Sequence, residues 1–387
     1  MKVLVAHNAY QQRGGEDVVA EAEAGLLRAH GHEVLLYTRH NDELAQMGRL
    51  EAAAGTLWSR RTAREVRALI AEQRPDVVHV HNSFPLISPS MHAAAHDAGV
   101  PVVQTLHNFR LLCPQAMLLR EGRVCEDCVG RAPLPGVRHG CYRGSRAQSG
   151  VLAGMLVLHR ALGTWQTKVS RYIALNAFCR DKFVEGGLPA ARIAIKPNFV
   201  DLPRPPPQPR RGLLYVGRLA PEKGIATLAQ AAANLPPGSL RIAGTGPELQ
   251  HLQGLPAVTL LGALNGAQVA DEMARAAALV MPSLWYENFP RTLVEAFACG
   301  LPVLASRLGA LASLVEHGRT GWLVEPGDAA AWAQALRGAL DDAAGLAAMG
   351  ETARTLYERE YTAEANHRML RAIYDEAIAE RRREGVR

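Results

Sequence analysis

Short runs of apolar, often β-branched residues alternate with longer alanine- and arginine-rich stretches along the chain, and this alternation constrains the fold most strongly. The runs predict strands, and the stretches predict helices; in 16–30, for example, Val19, Ala22 and Leu26 share one helical face and Gly31 ends the helix. Repeated strand–helix–strand units predict parallel sheets flanked by helices. The predicted strands are Lys2–His7, Glu33–Thr38, Asp76–His81, Val100–Leu106, Tyr172–Asn176, Arg192–Lys196, Leu213–Val216, Ser239–Ala243, Val258–Leu261, Ala278–Met281, Pro302–Ala305 and Gly321–Val324.

A proline-rich segment divides this series into two halves. Five of the seven residues of Pro203–Pro209 are proline, which lacks an N–H and fixes φ, so the segment predicts a stiff linker. A chain of 387 residues is long enough for two domains. We therefore predict an α/β fold with two doubly wound domains facing a cleft, and a ligand at the carboxyl ends of the strands. The predicted boundaries are 1–200 for the N-terminal domain, 201–211 for the linker, 212–361 for the second domain and 362–387 for a C-terminal helix.

Charge narrows the ligand class. The chain has 43 basic and 37 acidic residues, a formal net charge of +6, and only five of the basic residues are lysine. This balance favours phosphate-rich ligands, anionic membrane surfaces or nucleic acid.

Six cysteines are too few for a disulfide scaffold. The apolar run Val3–Ala6 is too short for a signal peptide, and Val151–Leu158 is too short to span a bilayer, so we expect a cytoplasmic protein.

Two glycine-containing turns that follow predicted strands are candidates for phosphate binding. Gly14-Gly15 opens the first helix, where free N–H groups favour an anion, although an ordinary strand-to-helix turn explains the pair equally well. In the second half, Gly217 is followed by Arg218 and Lys223, two cations at one strand end that suit a diphosphate. In a third turn, Gly244–Gly246, the need of a tight turn for glycine explains most of the pattern.

The segment from Trp285 to Ala296 carries the most information. Pro290 fits the first turn of a helix that runs to Cys299 and stops at Gly300. Glu287 then lies in an apolar loop before the helix and Glu295 on its second turn, so both carboxylates can face one ligand. The helix N-terminus between them suits a phosphate.

Together these motifs resemble those of family 4 retaining glycosyltransferases of the GT-B fold. The resemblance runs in order through Gly14-Gly15, Gly217–Gly224, Gly244–Glu248, Glu287–Ala296 and Glu325–Asp328, and the Glu-x7-Glu segment is its most specific part. It implies two Rossmann-like domains, an N-terminal one for the acceptor and a C-terminal one for a nucleotide-sugar donor. It also implies that the C-terminal helix crosses back onto the N-terminal domain.

The resemblance implies a role for each matching residue. Gly14 and Gly15 would lie beside the donor diphosphate, Arg218 and Lys223 would neutralise it, and His107 would lie against the donor sugar. Glu287 would bind sugar hydroxyls and Glu295 the ribose. Further residues implied to contact the donor are Gly217, Gly246, Asn288, Phe289, Pro290, Arg291 and Thr292. Where the family has glycine at its fourth motif position, this chain has Pro290, which removes one backbone donor and puts the donor sugar in question.

The resemblance also implies a mechanism and a biological setting. Cations and helix ends, rather than a metal, would stabilise the leaving diphosphate, and the sequence contains no Asp-x-Asp motif. No carboxylate is obviously placed as a nucleophile, which favours same-face attack by the acceptor with retention. The expected donor is a UDP-sugar, with GDP-mannose next, and the expected acceptor is a glycan or lipid-linked hydroxyl in cell-surface polysaccharide synthesis. No catalytic cofactor and no nucleic acid partner are expected.

Two other protein classes remain open at this point. A nucleotide-dependent oxidoreductase would share the α/β pattern, but the turn after the first strand lacks the G-x-G-x-x-G fingerprint. A two-domain sugar-binding protein of the periplasmic type would need a signal peptide.

A cysteine-rich insertion, about 113–143, and one apolar helix complete the sequence predictions. Cys113, Cys125, Cys128 and Cys141 predict a structural zinc site, with reduced thiols or a disulfide as alternatives. The apolar run Val151–Leu158 with Arg160, Lys168 and Arg171 predicts a basic amphipathic surface for a lipid-linked acceptor at the inner face of the membrane; an ordinary buried helix explains it as well.

Overall fold

The computed structural model describes residues 1–385 and contains two six-stranded parallel sheets and one two-stranded hairpin. All twelve predicted strands are found, with ends shifted by up to two residues. The strands are β1 (Lys2–Ala9), β2 (Glu33–His40), β3 (Val77–Asn82), β4 (Val102–Thr105), β5 (Leu119–Arg120), β6 (Arg123–Val124), β7 (Arg171–Ala174), β8 (Ile193–Ile195), β9 (Leu213–Val216), β10 (Leu240–Ala243), β11 (Val258–Gly262), β12 (Ala278–Met281), β13 (Val303–Ser306) and β14 (Gly321–Val324).

Helices occupy most of the connections between these strands. They are α1 (Gly15–Ala29), α2 (Arg49–Leu57), α3 (Arg60–Gln73), α4 (Ser90–Asp97), α5 (Leu134–Arg138), α6 (Arg146–Ala161), α7 (Thr164–Thr167), α8 (Ala177–Glu185), α9 (Ile225–Ala232), α10 (Gly266–Arg275), α11 (Arg291–Ala298), α12 (Gly309–Leu314), α13 (Ala329–Asp341), α14 (Ala343–Glu360) and α15 (Ala363–Gly385). Side-chain caps define several starts: Asp328 accepts hydrogen bonds from the N–H groups of Ala330 and Ala331, both at 3.0 Å, where α13 begins. None of the helices within residues 1–385 is both long and apolar enough to cross a bilayer.

The chain forms two compact units. The first unit comprises Met1–Leu118, Glu126–Lys196 and α15 from His367 onward, and the second comprises Leu119–Cys125 and Pro197–Asn366. The strand order is β2-β1-β3-β4-β7-β8 in the first unit and β11-β10-β9-β12-β13-β14 in the second. In each sheet the order reverses direction between two adjacent strands, β1 and β3 in the first and β9 and β12 in the second. Such a reversal opens a crevice at the carboxyl ends of the strands, where α/β folds bind ligands.

Each unit has its own apolar core. In the first unit, Val3, Val77 and Val103 on the sheet pack with Leu27 of α1 and with Tyr374 of α15. The C-terminal helix is therefore an integral part of the core formed by the N-terminal strands. In the second unit, the core includes fully buried Trp332 of α13.

The division into units places two segments that the sequence analysis singled out. The proline-rich segment contains neither helix nor strand, and residues on both sides of it bond within the second unit: Val200 N–H donates to the Tyr361 carbonyl, and Arg210 donates to the Cys299 carbonyl. The segment lies within that unit, whose longer part is Pro197–Asn366. Within the cysteine-rich insertion, Leu119–Cys125 groups with the second unit and the segment from Glu126 onward with the first.

Candidate functional site

In the second unit, the turn after β9 and the loop after β12 pack directly against each other at the reversal point. Leu284 N–H donates to the Glu222 carbonyl at 2.8 Å. A Cβ on Gly224, whose φ is +73°, would lie 1.9 Å from the Pro282 carbonyl oxygen, so only glycine permits this contact. The close backbone contact brings the side chains of the two loops together.

Lys223 and Glu287 form an ion pair across this contact. Lys223 Nζ lies 2.6 Å from Glu287 Oε1 and 5.3 Å from the centre of the Trp285 ring. The same oxygen accepts hydrogen bonds from Ser283 Oγ at 2.8 Å and Trp285 Nε1 at 3.1 Å. Glu287 is buried, and these three donors hold it in one orientation. All three contacts use the same oxygen, Oε1.

Arg218 and Lys223 were expected to converge on one anion, but they make separate ion pairs. Arg218 pairs with Glu222, four residues later, and 63% of its side chain is exposed. The Lys223 side chain is 23% exposed and lies against an aromatic ring. Lys223 is therefore the more buried of the two cations, and Arg218 is held by Glu222 at the surface.

Helix α11 places the second glutamate close to this loop. It runs from Arg291 to Ala298, with Pro290 as the N-cap residue, Cys299 as the C-cap residue and Gly300 next at a positive φ, so each end lies one residue from the predicted bounds. Glu295 lies on its second turn and is partly exposed, with Oε1 3.5 Å from Arg291 Nη2. The residues Asn288, Phe289, Pro290, Arg291 and Thr292 form the end of the loop and the first turn of the helix. Unpaired N–H groups in a first helical turn attract anions.

The glycine-rich turns after β9 and β10 have a structural explanation. A Cβ on Gly246 would lie 2.2 Å from the Leu219 carbonyl oxygen, and one on Gly244 would lie 1.9 Å from that of Gly217. Leu219 N–H donates to the Thr245 carbonyl at 2.9 Å, which locks the two turns together. The glycines therefore allow the backbone of one turn to pack against that of the other.

In the first unit, Gly14 and Gly15 lie at the reversal point between β1 and β3, and their surroundings differ from those of the other glycine turns. Gly14 has a φ of −110°, which any residue can adopt, and a Cβ on Gly15 would meet no atom within 4 Å. Neither packing nor backbone conformation demands this pair. Asp17 fixes the turn, because its Oδ2 accepts the Gly14 N–H at 2.6 Å and its Oδ1 lies 2.7 Å from His7 Nε2.

The loop after β4 approaches the same turn and includes His107. Asn108 Nδ2 donates to Glu16 Oε1 at 2.6 Å, and Tyr10 donates its hydroxyl proton to Glu16 Oε2 at 2.8 Å. Burial raises the pKa of the Glu16 carboxyl, although both hydrogen bonds oppose the rise. His107 is buried, and its Nε2 lies 2.9 Å from His81 Nδ1. The fold thus places His107 near Gly14 and Gly15, which are about 90 residues away in sequence.

A buried polar cluster that the sequence did not predict lies behind His107 and consists of Glu23, His79, His81 and Lys196. The sequence contains one indication of this cluster. His79 and His81 are two residues apart on one strand, so both side chains face the same side of the sheet. Their partners Glu23 and Lys196 are 173 residues apart in sequence and offered no local signal.

The four predicted zinc ligands differ in burial, and Cys125 is half-buried. Cys113 and Cys128 are buried in the first unit, and Cys141 is half-buried there. The Cys128 Sγ lies 3.6 Å from the position that a Cβ on Gly136 would take. The zinc site stays a prediction.

Two six-stranded parallel sheets with flanking helices, each with one reversal of strand order, define an α/β fold of the GT-B type. The fold matches that of Anabaena HepE in its complex with UDP, with a TM-score of 0.68, 20% identity and coverage of 97% of this chain and 100% of that one. A sequence model of the Glycosyltransferase Family 4 matches residues 13–204, and one of the Glycosyl transferases group 1 matches residues 210–342. The chain belongs to glycosyltransferase family 4.

Curated relatives agree with this assignment. The chain is 32% identical over 301 residues to a glycogen synthase of Mycobacterium tuberculosis, a match that covers 73% of this chain and 64% of the relative. It is 26% identical over 341 residues to an alpha-D-kanosaminyltransferase of Streptomyces kanamyceticus, covering 84% of this chain and 82% of the relative. The chain thus spans somewhat less than two thirds of the glycogen synthase.

Proposed function

We propose that the protein transfers a sugar from a nucleotide-sugar donor to a hydroxyl of a glycan or lipid-linked acceptor, with retention of anomeric configuration. The observation that carries the proposal is the ordered Lys223–Glu287 pair beside the start of α11. A cation, an oriented carboxylate and a helix N-terminus at one sheet reversal suit a sugar diphosphate. Family membership supports the same chemistry.

In the proposed reaction, the bond between the anomeric carbon and the diphosphate oxygen breaks, and its electron pair leaves with the nucleoside diphosphate. Lys223, Arg218 and the first turn of α11 stabilise the charge that develops on the leaving group. The acceptor hydroxyl forms the new bond on the same face of the sugar and gives its proton to a phosphate oxygen of the leaving group. Same-face attack needs no protein nucleophile and accounts for retention.

The two glutamates have different proposed partners. Glu287 Oε1 already accepts three hydrogen bonds, so its Oε2 would accept from sugar hydroxyls. Glu295, partly exposed on α11, would accept from the ribose hydroxyls. On the first unit, the open space beside Gly15 would admit the diphosphate, and His107 would contact the sugar.

We propose a UDP-sugar as the donor, because HepE of the same fold has structures with UDP and with UDP-glucose. The loop residue Pro290 lacks the N–H that the family's glycine offers, so the donor sugar is proposed only as a hexose. The setting proposed is cell-surface polysaccharide synthesis, without a catalytic metal.

For the acceptor, α6 of the first unit offers an apolar surface. Val157 and Leu158 on this helix and Leu162 just after it are exposed. The three cations expected to add a basic character are engaged within the unit: Arg160 with the Leu111 carbonyl, Lys168 with Asp97 and Arg171 with Glu380. A lipid-linked acceptor would therefore be held mainly by apolar contact, and attraction to anionic lipids would be weak.

A panel of nucleotide sugars tests the proposal. The full chain is incubated with each donor and scored for release of nucleoside diphosphate, and thermal shift is measured with UDP, GDP and ADP. We expect a shift with UDP and UDP release from at least one UDP-sugar, unchanged by EDTA. Binding of a nicotinamide cofactor without nucleoside diphosphate release would contradict it.

A further inference from the structure

Buried polar side chains connect α1 to His107 through the interior of the first unit. Glu23 lies on α1, His81 on β3 and His107 just after β4, while Lys196 follows β8. Glu23 is 1% exposed, His81 3% and Lys196 0%. Burial of so many polar groups is costly unless each group has a partner.

Lys196 determines which oxygen of Glu23 is available to other groups. The Lys196 ammonium contacts Glu23 Oε1. An ammonium only donates hydrogen bonds, so this contact commits Oε1 to Lys196. Glu23 Oε2 lies 3.5 Å from His81 Nε2, and neither atom has a hydrogen-bond partner of normal geometry within residues 1–385. Each is therefore the other's nearest candidate partner.

The direction of the hydrogen bonds follows from the chemistry of these groups. A carboxylate oxygen only accepts, so a hydrogen bond between these two atoms requires the proton on His81 Nε2. Burial, followed by the electrostatic influence of His7 and Lys196, holds the pKa of His81 well below its ordinary value, so its ring is neutral and Nδ1 is bare. His107 Nε2, 2.9 Å from that bare nitrogen, must then donate. His107 is also neutral, because burial and His81 hold its pKa well below the ordinary value, which leaves Nδ1 as an acceptor.

We propose that Glu23, anchored by Lys196, is a positioning residue that fixes the proton on Nε2 of His107 through His81, so that His107 presents a bare Nδ1 to a hydroxyl of the donor sugar. The contact with the sugar rests on the proposed function. The placement of the protons does not, because it follows from the buried chain alone.

A metal ion is the rival occupant of this cluster. Ligand atoms of Glu23, His79 and His81 lie within 4.8 Å of one another. Two contacts oppose a metal: the Tyr374 hydroxyl lies 2.7 Å from His79 Nδ1, and the Lys196 ammonium already neutralises Glu23. A second cation would be repelled by Lys196.

The nitrogen-15 spectrum of the histidine rings in the full wild-type chain tests the proposal without reference to activity. Protonated and bare ring nitrogens differ widely in chemical shift, and His81→Gln and His107→Gln assign the signals. We expect neutral rings at neutral pH with protonated Nε2 and bare Nδ1 for both His81 and His107. A proton on Nδ1 of His107, or a metal bound to the chain by elemental analysis and lost with Glu23→Gln, would overturn the proposal.

The substitution Glu23→Gln should move the ring protons of His81 and His107. Lys196 should keep the amide oxygen, which turns the amide NH2 toward His81 Nε2 and makes that nitrogen an acceptor. The protons of His81 and His107 should then both move to Nδ1. We expect kcat to fall about 10–100-fold with the donor KM within about twofold, as for other supporting residues that orient a histidine.

Leu27→Ala is the matched control, since Leu27 is a buried residue one turn further along α1 in the apolar core. It should lower the melting temperature but leave the ring protons and kcat unchanged. An equal loss of kcat in both variants would show that Glu23 acts only through stability. If Glu23→Gln does not fold, the wild-type spectrum still decides the proton placement. Altered ring protons in Glu23→Gln with unchanged kcat would reject the link to the sugar while leaving the nucleotide-sugar activity intact.

Discussion

Acid should destabilise the first unit far more than the second. His79, His81, His92 and His107 are buried in the first unit; burial lowers the pKa of His92 to about 4 and those of the other three well below the ordinary value. In the unfolded chain these groups titrate near 6.5. Below that pH the unfolded state binds more protons than the folded state, so stability falls as the pH falls.

The size of the effect follows from proton linkage. Between about pH 7 and about pH 5.5, a histidine with an unfolded pKa near 6.5 that stays neutral when folded costs about 1.2 kcal/mol of stability. Four such residues give about 5 kcal/mol, a large share of the stability of an ordinary domain. Of the 14 histidines, only His251 and His317 lie in the second unit, and both are at least partly exposed.

Hydrogen exchange followed by mass spectrometry measures this effect for each unit separately. After correction for the intrinsic exchange rate, peptides of β3 and β4 should lose about 5 kcal/mol of protection at the lower pH, and peptides of β9 and β12 should change little. The variant His92→Gln should lose about 1.2 kcal/mol less than wild type, because one proton fewer is taken up. Equal losses in the two units, or unchanged protection of β3, would refute the reasoning.

Three further predictions concern the proposed sites. Lys223→Ala should lower kcat/KM about 10²–10³-fold, and Arg218→Ala should also lower it if Arg218 turns to the diphosphate; wild-type turnover in both folded variants would exclude a diphosphate role. Glu295→Ala should weaken nucleotide binding by about 1–3 kcal/mol in calorimetry, whereas Glu287→Gln, which keeps an oxygen for Lys223, should mainly reduce turnover; equal effects on UDP affinity would contradict separate roles. Elemental analysis of protein purified without chelating resin should find about one zinc per chain, and Cys125→Ser should lose it together with thermal stability; metal-free wild type with an unchanged melting temperature in the variant would exclude the site.

The strands were predictable because parallel, buried strands leave continuous apolar runs such as Ala278–Met281. The hairpin of β5 and β6 was not, since strands of two residues carry no periodicity. The helix after Pro290 was located to within one residue, because proline and glycine mark its ends.

The side-chain partners within the sites were harder to predict. Spacing placed Arg218 and Lys223 at one strand end, but Glu222 and Glu287 decide where each cation points, and the second of these contacts spans 64 residues. Sequence spacing carries no information about such long-range pairs, which depend on the packing of whole loops. The Glu23–Lys196 pair escaped for the same reason.

The position of α15 has a consequence for synthesis on the ribosome. Its Tyr374 fills the core formed by β1, β3 and β4, yet it is translated after the whole of the second unit. Nascent N-terminal strands therefore stay without their last packing partner until some 370 residues have been made, whereas the second unit has its sequence complete earlier. A chain stopped before α15 would leave Val3, Val77 and Val103 without this packing partner and would expose them to chaperones or to aggregation.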